Sequence, residues 1–284
     1  MKFSIVTPSF KQPEWLRLCL ASVADQQVDC ELEHIIQDNC SGEAVRAVVA
    51  GSPRARLITE SDQGMYDAIN RGLRHSTGGV CAYLNCDEQY LPGALCRVAA
   101  YFAVHPEVDV LFGDSIIADP SLMPLAYRRV VLPRRWHTLL RPLGVLTCST
   151  FFRRKVVDDG VLFDPVWKII GDKAWILALL DRGYRMAVLQ EPVAVFAMTG
   201  ANLSLHQNVH AERRRWREGF SPLIRLAKPL VLARHLLDKW QQGAYQEQQL
   251  ASAWYTPDSF PVRRDFAQLT LGWKWPSISP RPVL

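Results

Sequence analysis

Strand-like apolar runs alternate with helix-like segments along residues 3–112, and this alternation constrains the fold more than any other feature of the sequence. It is typical of a mainly parallel sheet whose connections are helices packed on its faces. In Pro13–Asp25 the apolar residues recur at helical spacing, which predicts a helix face that covers the sheet. The predicted strands are 3–7, 33–37, 55–58, 80–84 and 108–112, and the predicted helices are 13–25, 44–50, 65–75 and 92–105.

Composition places the chain among globular proteins. It has 284 residues, of which 49% are hydrophobic, so it can bury a large core. Its 7 cysteines include no C-x-x-C pair, which favours free thiols in a cytosolic protein. The first residues enter a strand without a secretory signal, and no apolar stretch reaches the roughly 18 residues of a spanning helix. We therefore expect a cytoplasmic protein, either soluble or peripheral on the inner face of the membrane, without a nucleic-acid partner.

Polar residues follow each of the first four predicted strands. Parallel strands place their carboxyl ends at one edge of a sheet, where open α/β folds bind ligands. The glycine-rich phosphate loops G-x-G-x-x-G and G-x-x-x-x-G-K-[ST] are absent, so a diphosphate would need another counter-charge, such as Mg²⁺ or Mn²⁺ held by carboxylates. The four segments are Thr7-Pro8-Ser9-Phe10, Asp38-Asn39, Ser61-Asp62-Gln63-Gly64 and Asn85-Cys86-Asp87-Glu88.

These segments also have simpler interpretations. Asp38 followed by Gly42 is a turn signal, and Asp87-Glu88 could be acids that begin a helix. A single segment of this kind would not distinguish a ligand site from ordinary turn chemistry. The expected convergence of all four segments at one edge of the sheet favours the ligand site.

Longer motifs carry a resemblance to a known family. "SIVTPSF", "IIQDNCSG" and above all "SDQGMYDAINRGLRHSTGGVCAYLNCDE" are followed by "STFFRRKVVDDGVLFDPVWKIIGDKAWILALLDRGYR" and "MTGANLS". Over roughly residues 3–205 the sequence resembles the family 2 glycosyltransferases of the GT-A fold, in particular the bacterial enzymes of polysaccharide and O-antigen synthesis. The resemblance implies an α/β fold with a Rossmann-like, mainly parallel sheet in residues 1–205. Residues 206–284 would form a basic helical segment and an extended tail.

The same resemblance implies roles for individual residues. The family's D-x-D metal motif falls on Asn85-Cys86-Asp87, with Asn in place of the first Asp. Gly171 stands where many relatives carry another acid. The implied nucleotide-binding residues are Thr7, Pro8, Ser9, Phe10, Asp38, Asp62 and Asn85; the implied ligands of Mn²⁺ or Mg²⁺ are Asp87 and Glu88; and the implied catalytic base is Asp172.

These roles describe an inverting, metal-dependent hexosyltransferase. It would move a sugar from a nucleotide-diphosphate sugar, with a UDP-sugar as the expected donor, to a hydroxyl group of a surface polysaccharide, O-antigen or related glycan. A carboxylate can take the proton of that hydroxyl as it attacks, and a cation can stabilise the leaving diphosphate. Asp172 could also act as the N-cap of the helix that begins in "GDKAWILALL".

Two other functions remain open. A sugar nucleotidyltransferase binds nucleotides on a similar sheet but needs a glycine-rich basic loop after the first strand, and "TPSFKQPEW" lacks one. A degenerate transferase domain that serves as a non-catalytic binding subunit would account for Asn85 and Gly171. Turnover of a sugar nucleotide would separate both from a transferase.

Two basic regions suggest partners. Residues 120–157 carry seven arginines, one lysine and no acid, which suits a diphosphate or an anionic acceptor, although a solvated loop would look the same. In residues 204–240, 8 Lys or Arg stand against 3 Asp or Glu and alternate with leucines. Such a tract suits an anionic membrane surface, or it packs on the catalytic domain or on a second copy of the chain. The acceptor is expected to be a glycan or a lipid-linked glycan.

Overall fold

The computed structural model describes residues 1–27, 29–200, 202 and 209–276. In these ranges a nine-stranded main sheet is flanked by helices, and a two-stranded hairpin follows near the C-terminus. The strands are β1 Lys2–Ser9, β2 Glu31–Asp38, β3 Ala55–Thr59, β4 Val80–Tyr83, β5 Glu88–Tyr90, β6 Val110–Ala118, β7 Pro124–Arg128, β8 Thr150–Arg153, β9 Met186–Ala197, β10 Gln248–Trp254 and β11 Arg264–Leu271. The α-helices are α1 Pro13–Ala24, α2 Glu43–Ala50, α3 Met65–His75, α4 Ala94–Val104, α5 Arg135–Leu140, α6 Lys155–Asp158, α7 Gly171–Asp181, α8 Val209–Glu218 and α9 Lys228–Gln241.

The first four strands form a parallel half of the main sheet, in the order β3-β2-β1-β4. Ser9 of β1 pairs with Asp38 of β2, and Asp38 pairs with Thr59 of β3. On the other side β4 also runs parallel to β1. The carboxyl ends of the four strands therefore meet at one edge, which confirms the predicted α/β arrangement.

The rest of the sheet is mixed. From β4 the order continues β8-β6-β9-β5, and β7 also pairs with β6. Strands β6 and β9 are parallel, whereas β8, β7 and β5 run antiparallel to their partners. The predicted strand 108–112 is the beginning of β6, which extends to Ala118. Strand β5 has only 3 residues, and Glu88 pairs there with Phe196, so no local pattern could predict it.

Apolar layers cover both faces of the sheet. Successive residues of a strand point to opposite faces, and in β1 Phe3 and Ile5 pack with α1 and α4, whereas Val6 packs with α3 and α7. Gly72 of α3 lies so close to Val6 that a Cβ atom there would come within 2.3 Å of Cγ1. This close approach holds α3, with Tyr66 at its beginning, beside the strand ends.

The hairpin of β10 and β11 packs beside the main sheet. Trp254 is fully buried, and its Nε1 donates a hydrogen bond to the carbonyl of Leu122 at 2.9 Å. The side chain of Gln89 in β5 donates to the carbonyl of Tyr255 and accepts from its N–H. The predicted C-terminal appendage therefore shares apolar packing and hydrogen bonds with the sheet over its described residues.

Helix α9 is attached by polar contacts on one side and leaves large apolar side chains in solvent on another. Asp238 forms ion pairs with Arg134, at 2.6 Å, and with Arg234, at 3.1 Å. The ring of His235 stacks on His137 of α5, with the ring centroids 3.6 Å apart. Across the ranges that the structure describes, no helix combines the length and apolarity that a membrane crossing requires.

Candidate active site

A cleft of about 1450 Å³ opens at the carboxyl ends of the parallel strands. It contains most of the site residues expected from the sequence, although they come from segments far apart in the chain. The expected residues that line it are Pro8, Ser9, Phe10, Asp62, Asn85, Asp87, Glu88 and Asp172. The described residues thus bring the expected nucleotide, metal and base positions into one cavity.

Thr7 and Asp38 are placed beneath the cleft and do not line it. The hydroxyl of Thr7 is fully buried and lies 2.8 Å from Nε2 of His34. The carboxylate of Asp38 accepts hydrogen bonds from the N–H and the hydroxyl of Ser41, at 2.8 and 2.6 Å. Their side chains support the strand end and the turn after β2, so any effect on a nucleotide would pass through the shape of that loop.

Two short loops form the far end of the cleft. The N–H of Asp62 donates to Oδ1 of Asn39 at 3.3 Å, and Oδ1 of Asp62 accepts from the N–H of Gly64 at 2.8 Å. Gly64 has φ = 118°, a conformation that favours glycine, and it allows the turn that starts α3. Beside these loops the ring of Phe10 is 55% exposed. An exposed ring and a flat polar loop are surfaces on which a nucleobase can stack and form hydrogen bonds.

Asp87 lies among oxygen atoms that have no hydrogen-bond donor. Nδ2 of Asn202 donates to Oδ2 of Asp87 over 3.5 Å, and Glu88, directly after it, is fully buried and accepts from the N–H of Asn85 at 2.7 Å. Burial raises the pKa of Asp87; burial and the nearby charge of Asp87 raise the pKa of Glu88. Among the described atoms, Oδ1 of Asn85, Oε1 of Glu88 and Oδ1 of Asn202 are buried without a partner.

These oxygens fit a hard divalent cation. Mg²⁺ and Mn²⁺ prefer carboxylate and amide oxygens, and Mg²⁺ commonly uses one or two protein carboxylates while substrate phosphates and water complete its shell. Within the described ranges no three His, Cys, Asp or Glu side chains form a complete protein cage. Asp87, with the unpartnered oxygens around it, is therefore suited to a cation shared with a diphosphate rather than to a permanently enclosed one.

Asp172 lies in the first turn of α7. It is far from Asp87 in sequence but lines the same cleft. Helix α7 begins at Gly171, and its N-cap is Ile170 without a side-chain cap, so the N-cap interpretation of Asp172 is wrong. Oδ1 of Asp172 accepts instead from the N–H of Lys173 at 2.7 Å. Burial raises the pKa of Asp172 to about 6, an effect that the hydrogen bond from the N–H of Lys173 and the nearby hydroxyl of Tyr66 partly oppose. A carboxylate with a pKa near neutrality is suited to accept a proton.

Glu212 of α8 holds the loop before α7, and we call this set of contacts the α8 brace. The carboxylate of Glu212 accepts hydrogen bonds from the backbone N–H groups of Lys168, Ile169 and Ile170, at 2.7, 3.0 and 3.1 Å. The side chain of Lys168 in turn donates to the carbonyl of Gln63 at 2.6 Å. These contacts link α8, the start of α7 and the loop before α3, so the position of Asp172 depends on all three.

Several lining residues were not expected from the sequence. Tyr66 contacts the loop before α7 through a hydrogen bond from its hydroxyl to the carbonyl of Ile169 at 3.1 Å. Asn202 belongs to the "MTGANLS" motif, of which residues 201, 203 and 204 lie outside the described part of the chain. Lys173 of α7 and Trp216 of α8 also line the cleft. The quoted motifs contain Asn202, Tyr66 and Lys173, so they could have indicated these residues, whereas Trp216 lies outside the motifs and reaches the cleft through helix packing.

The fold and the site define an α/β transferase-like domain with a nucleotide-sized cleft, and the family assignment agrees. The family described as "Glycosyl transferase family 2" matches residues 4–162. That match covers more than half of the chain, so the chain belongs to glycosyl transferase family 2. The finding confirms the resemblance seen in the motifs.

Relatives and solved structures agree with this assignment. A "PGL/p-HBAD biosynthesis glycosyltransferase" of Mycobacterium bovis (strain BCG / Pasteur 1173P2) is 34% identical over 125 residues, which cover 42% of this chain and 48% of that protein. The chain thus spans about half the length of that relative.

Two solved structures resemble the fold. S. aureus TarS 1-349 in complex with UDP-GlcNAc has a TM-score of 0.56 at 18% identity, covering 85% of this chain and 73% of that one. The mannosyltransferase PcManGT from Pyrobaculum calidifontis, in complex with GDP-Man and Mn²⁺, has a TM-score of 0.55 at 18% identity, covering 85% and 72%. At these identities the likeness concerns the fold, which is the GT-A type.

Proposed function

We propose that this family 2 glycosyltransferase is an inverting, metal-dependent hexosyltransferase that takes its sugar from a nucleotide-diphosphate sugar. The observation that carries the proposal is that Asp87 and Asp172 line one cleft although Asp172 comes 85 positions after Asp87 in the sequence. One carboxylate suits a diphosphate-bound cation, and the other suits the acceptor hydroxyl. The similarity to proteins solved with UDP-GlcNAc and with GDP-Man and Mn²⁺ supports a nucleotide-sugar donor.

The nucleotide would lie against the loops after β1, β2 and β3. Phe10 offers an exposed ring for the base, while Asn39 and Asp62 offer polar groups for base and ribose. Pro8, Ser9 and Asn85 shape the wall beside them. Thr7 and Asp38 would act from below by holding the strand end and the turn. Uridine is the base that we propose.

Asp87 would hold Mn²⁺ or Mg²⁺ together with Asn85 and Asn202, and Glu88 would support it from below. When bound, such a cation stabilises the charge of the leaving nucleoside diphosphate. Burial raises the pKa of both acids, so a bound cation would favour the ionised form of Asp87.

Asp172 would be the general base. As the acceptor oxygen bonds to the anomeric carbon, Asp172 takes its proton and the bond to the diphosphate breaks on the opposite side, which inverts the anomeric centre. Tyr66 and the α8 brace orient this carboxylate. We propose residues 1–205 as the GT-A domain and 206–284 as an appendage that completes the acceptor side of the cleft, in synthesis of a surface polysaccharide or related glycan.

A screen of sugar nucleotides for diphosphate release, with and without Mn²⁺, tests the function. We expect metal-dependent release from at least one donor when an acceptor hydroxyl is present. Release of nucleoside triphosphate from pyrophosphate and a sugar nucleotide would instead identify a nucleotidyltransferase. Binding without any turnover across donors and acceptors would favour the non-catalytic subunit.

We also propose peripheral contact between α9 and an anionic membrane surface. Leu226, Leu230 and Trp240 are 76%, 77% and 71% exposed, and Lys228 and Lys239 lie on the same segment. Flotation with anionic liposomes should be lost in a Leu230→Ser/Trp240→Ser variant and retained in Val104→Ser, whose site on α4 is 71% exposed. Unchanged flotation together with a change from dimer to monomer in light scattering would show that a second copy of the chain covers this face instead.

A further inference from the structure

Three cations belong to the part of the cleft lining that β7, α5, α7 and α8 supply, which we call the wall, and in the described part of the chain they form no ion pair at contact distance, although the charge of Asp172 acts on Lys173. Arg128 at the end of β7, Arg141 after α5 and Lys173 in α7 all line the cleft and are at least half-buried. Within the described ranges none of them is in an ion pair, whereas the half-buried Arg129, Arg153 and Arg263 bond to a carboxylate or a carbonyl. Burial lowers the pKa of Arg128, and it lowers the pKa of Lys173 to about 8.

Lys239 of α9 adds to the local positive charge, since it interacts electrostatically with Arg128. The stacked rings of His137 and His235 lie close to these cations, and burial lowers the pKa of both histidines, so the pair stays neutral and supplies no counter-charge. Asp238 also affects His235, but it is already paired with two arginines. Desolvated like charges without a counter-ion are costly for a fold to maintain. A ligand that brings negative charge into the wall would remove that cost.

The same wall is apolar between its cations. Leu139 and Trp216 are buried in one cluster with Leu140, Phe220 and Ile224 packed against them, and all five also line the cleft. The rim then continues onto the exposed apolar side of α9, because Lys228 lines the cleft while Leu230 is 77% exposed. A free sugar or a hydrophilic polymer would leave these apolar surfaces without a matching contact.

We propose that this wall is the acceptor subsite and that it binds an amphiphilic acceptor with a phosphate or diphosphate next to a hydrocarbon chain. This inference rests on the proposed transferase function. Arg128, Arg141 and Lys173 bind the anionic group, the apolar cluster around Trp216 binds the first part of the chain, and the hydrocarbon leaves the cleft over α9. The acceptor hydroxyl beyond the anionic group then reaches Asp172, which is next to Lys173.

Calorimetry with the full chain tests the inference. UDP and Mn²⁺ are kept in saturating excess so that added phosphates cannot enter the donor site. The probes are geranyl diphosphate, inorganic pyrophosphate and geraniol. We expect geranyl diphosphate to bind at least about tenfold more tightly than either of the other two, because only it satisfies the cations and the apolar wall together. Equal affinity for geranyl diphosphate and pyrophosphate would overturn the lipid character of the acceptor.

Variants assign the binding to the wall. Arg128→Gln and Lys173→Gln should each weaken geranyl diphosphate about tenfold, whereas Arg46→Gln, on the exposed side of α2, should not. Affinity for UDP should change less than about twofold in all three. A loss of UDP affinity in the wall variants would show that these cations serve the donor diphosphate and would overturn the proposal, while the transferase function would stand. Absence of UDP binding to the wild type would instead contradict the transferase function itself.

Melting temperatures distinguish a loss of ligand binding from a general loss of stability in the Arg128→Gln variant. If Arg128 serves to bind an anionic ligand, Arg128→Gln removes a cation without an ion pair and should keep or raise the melting temperature of the ligand-free protein. Geranyl diphosphate should then raise the melting temperature of the wild type more than that of the variant. A lower melting temperature of the ligand-free variant would show that Arg128 has a structural role and would contradict the proposal.

Discussion

The ring of Tyr66 occupies the space in which a side chain at position 171 would stand. A Cβ atom on Gly171 would lie 2.6 Å from Cδ2 and from Cε2 of that ring, far inside van der Waals contact. Gly171 therefore allows Tyr66 to pack against the start of α7, next to Asp172. The space beside Gly171, where the motif resemblance implies a second acid, is filled here by an aromatic ring from α3.

Gly171→Ala should lower both stability and transfer. The added methyl group displaces the ring of Tyr66, and overpacking of this kind costs about 1–3 kcal/mol, more than the helix propensity gained from alanine. Thermal unfolding and initial rates measure the two effects. Gly79→Ala is the matched control, because a Cβ atom there meets nothing within 4 Å. Equal behaviour of the two variants would show that the Tyr66 contact is unimportant.

Asp172→Asn should abolish most of the transfer without unfolding the protein. Asn keeps the shape and can still accept from the N–H of Lys173, but it cannot take a proton, so turnover should fall by roughly 10² to 10⁴-fold. Affinity for UDP should be unchanged in calorimetry. Near-normal transfer by this variant would place the base elsewhere, and Asp164 and Asp158 would be the next acids to replace.

The rate of the wild type should fall in mild acid. The pKa of Asp172 is raised to about 6, and only the ionised form can accept the proton of the hydroxyl. Below about pH 6 the rate should therefore drop by about tenfold for each pH unit, and above it the rate should level off. A profile that is flat between pH 5 and 7 in saturating donor and metal would contradict the role of Asp172.

Asp87→Asn should weaken the metal-dependent binding of UDP. The variant removes the charge that holds the cation but keeps an oxygen of similar position, so it tests charge rather than shape. Titrations of UDP with and without Mn²⁺ should differ strongly in the wild type and little in the variant. Asp258→Asn, which removes the charge of an exposed acid outside the cleft, is the control for a general effect of losing a carboxylate.

The stacked histidines should make the protein less stable in acid. Burial lowers the pKa of His137 to about 3 and that of His235 to about 4, below the ordinary value of 6.5. As the pH falls below about 6.5, these two histidines bind protons in the unfolded chain but not in the folded one. The free energy of unfolding therefore decreases from there down to about pH 4. His235→Gln should flatten the dependence of the melting temperature on pH in this window. An unchanged slope would mean that the pair does not stay neutral in the folded protein.

Much of the fold could be predicted from local patterns. The alternation of apolar runs placed β1 to β4 and α1 to α4 within a few residues, since strand and helix periodicities are properties of neighbouring residues. The short strand β5 was missed because its pairing with β9 is formed by distant segments. The three-residue sequence "EQY" has no periodicity of its own.

The sequence by itself determined that polar residues follow the parallel strands, because strand direction and connection by helices bring those ends to one edge. Only the tertiary structure decided which of their side chains reach the cleft. Thr7 and Asp38 turn into the fold, where His34 and Ser41 bind them, whereas Asp87 and Asp172 meet in one cavity with Tyr66 and Asn202. The physical reason is that the direction in which a side chain points depends on strand register and on the residues packed beneath it. These residues are too far apart in the sequence for a local pattern to predict their contacts.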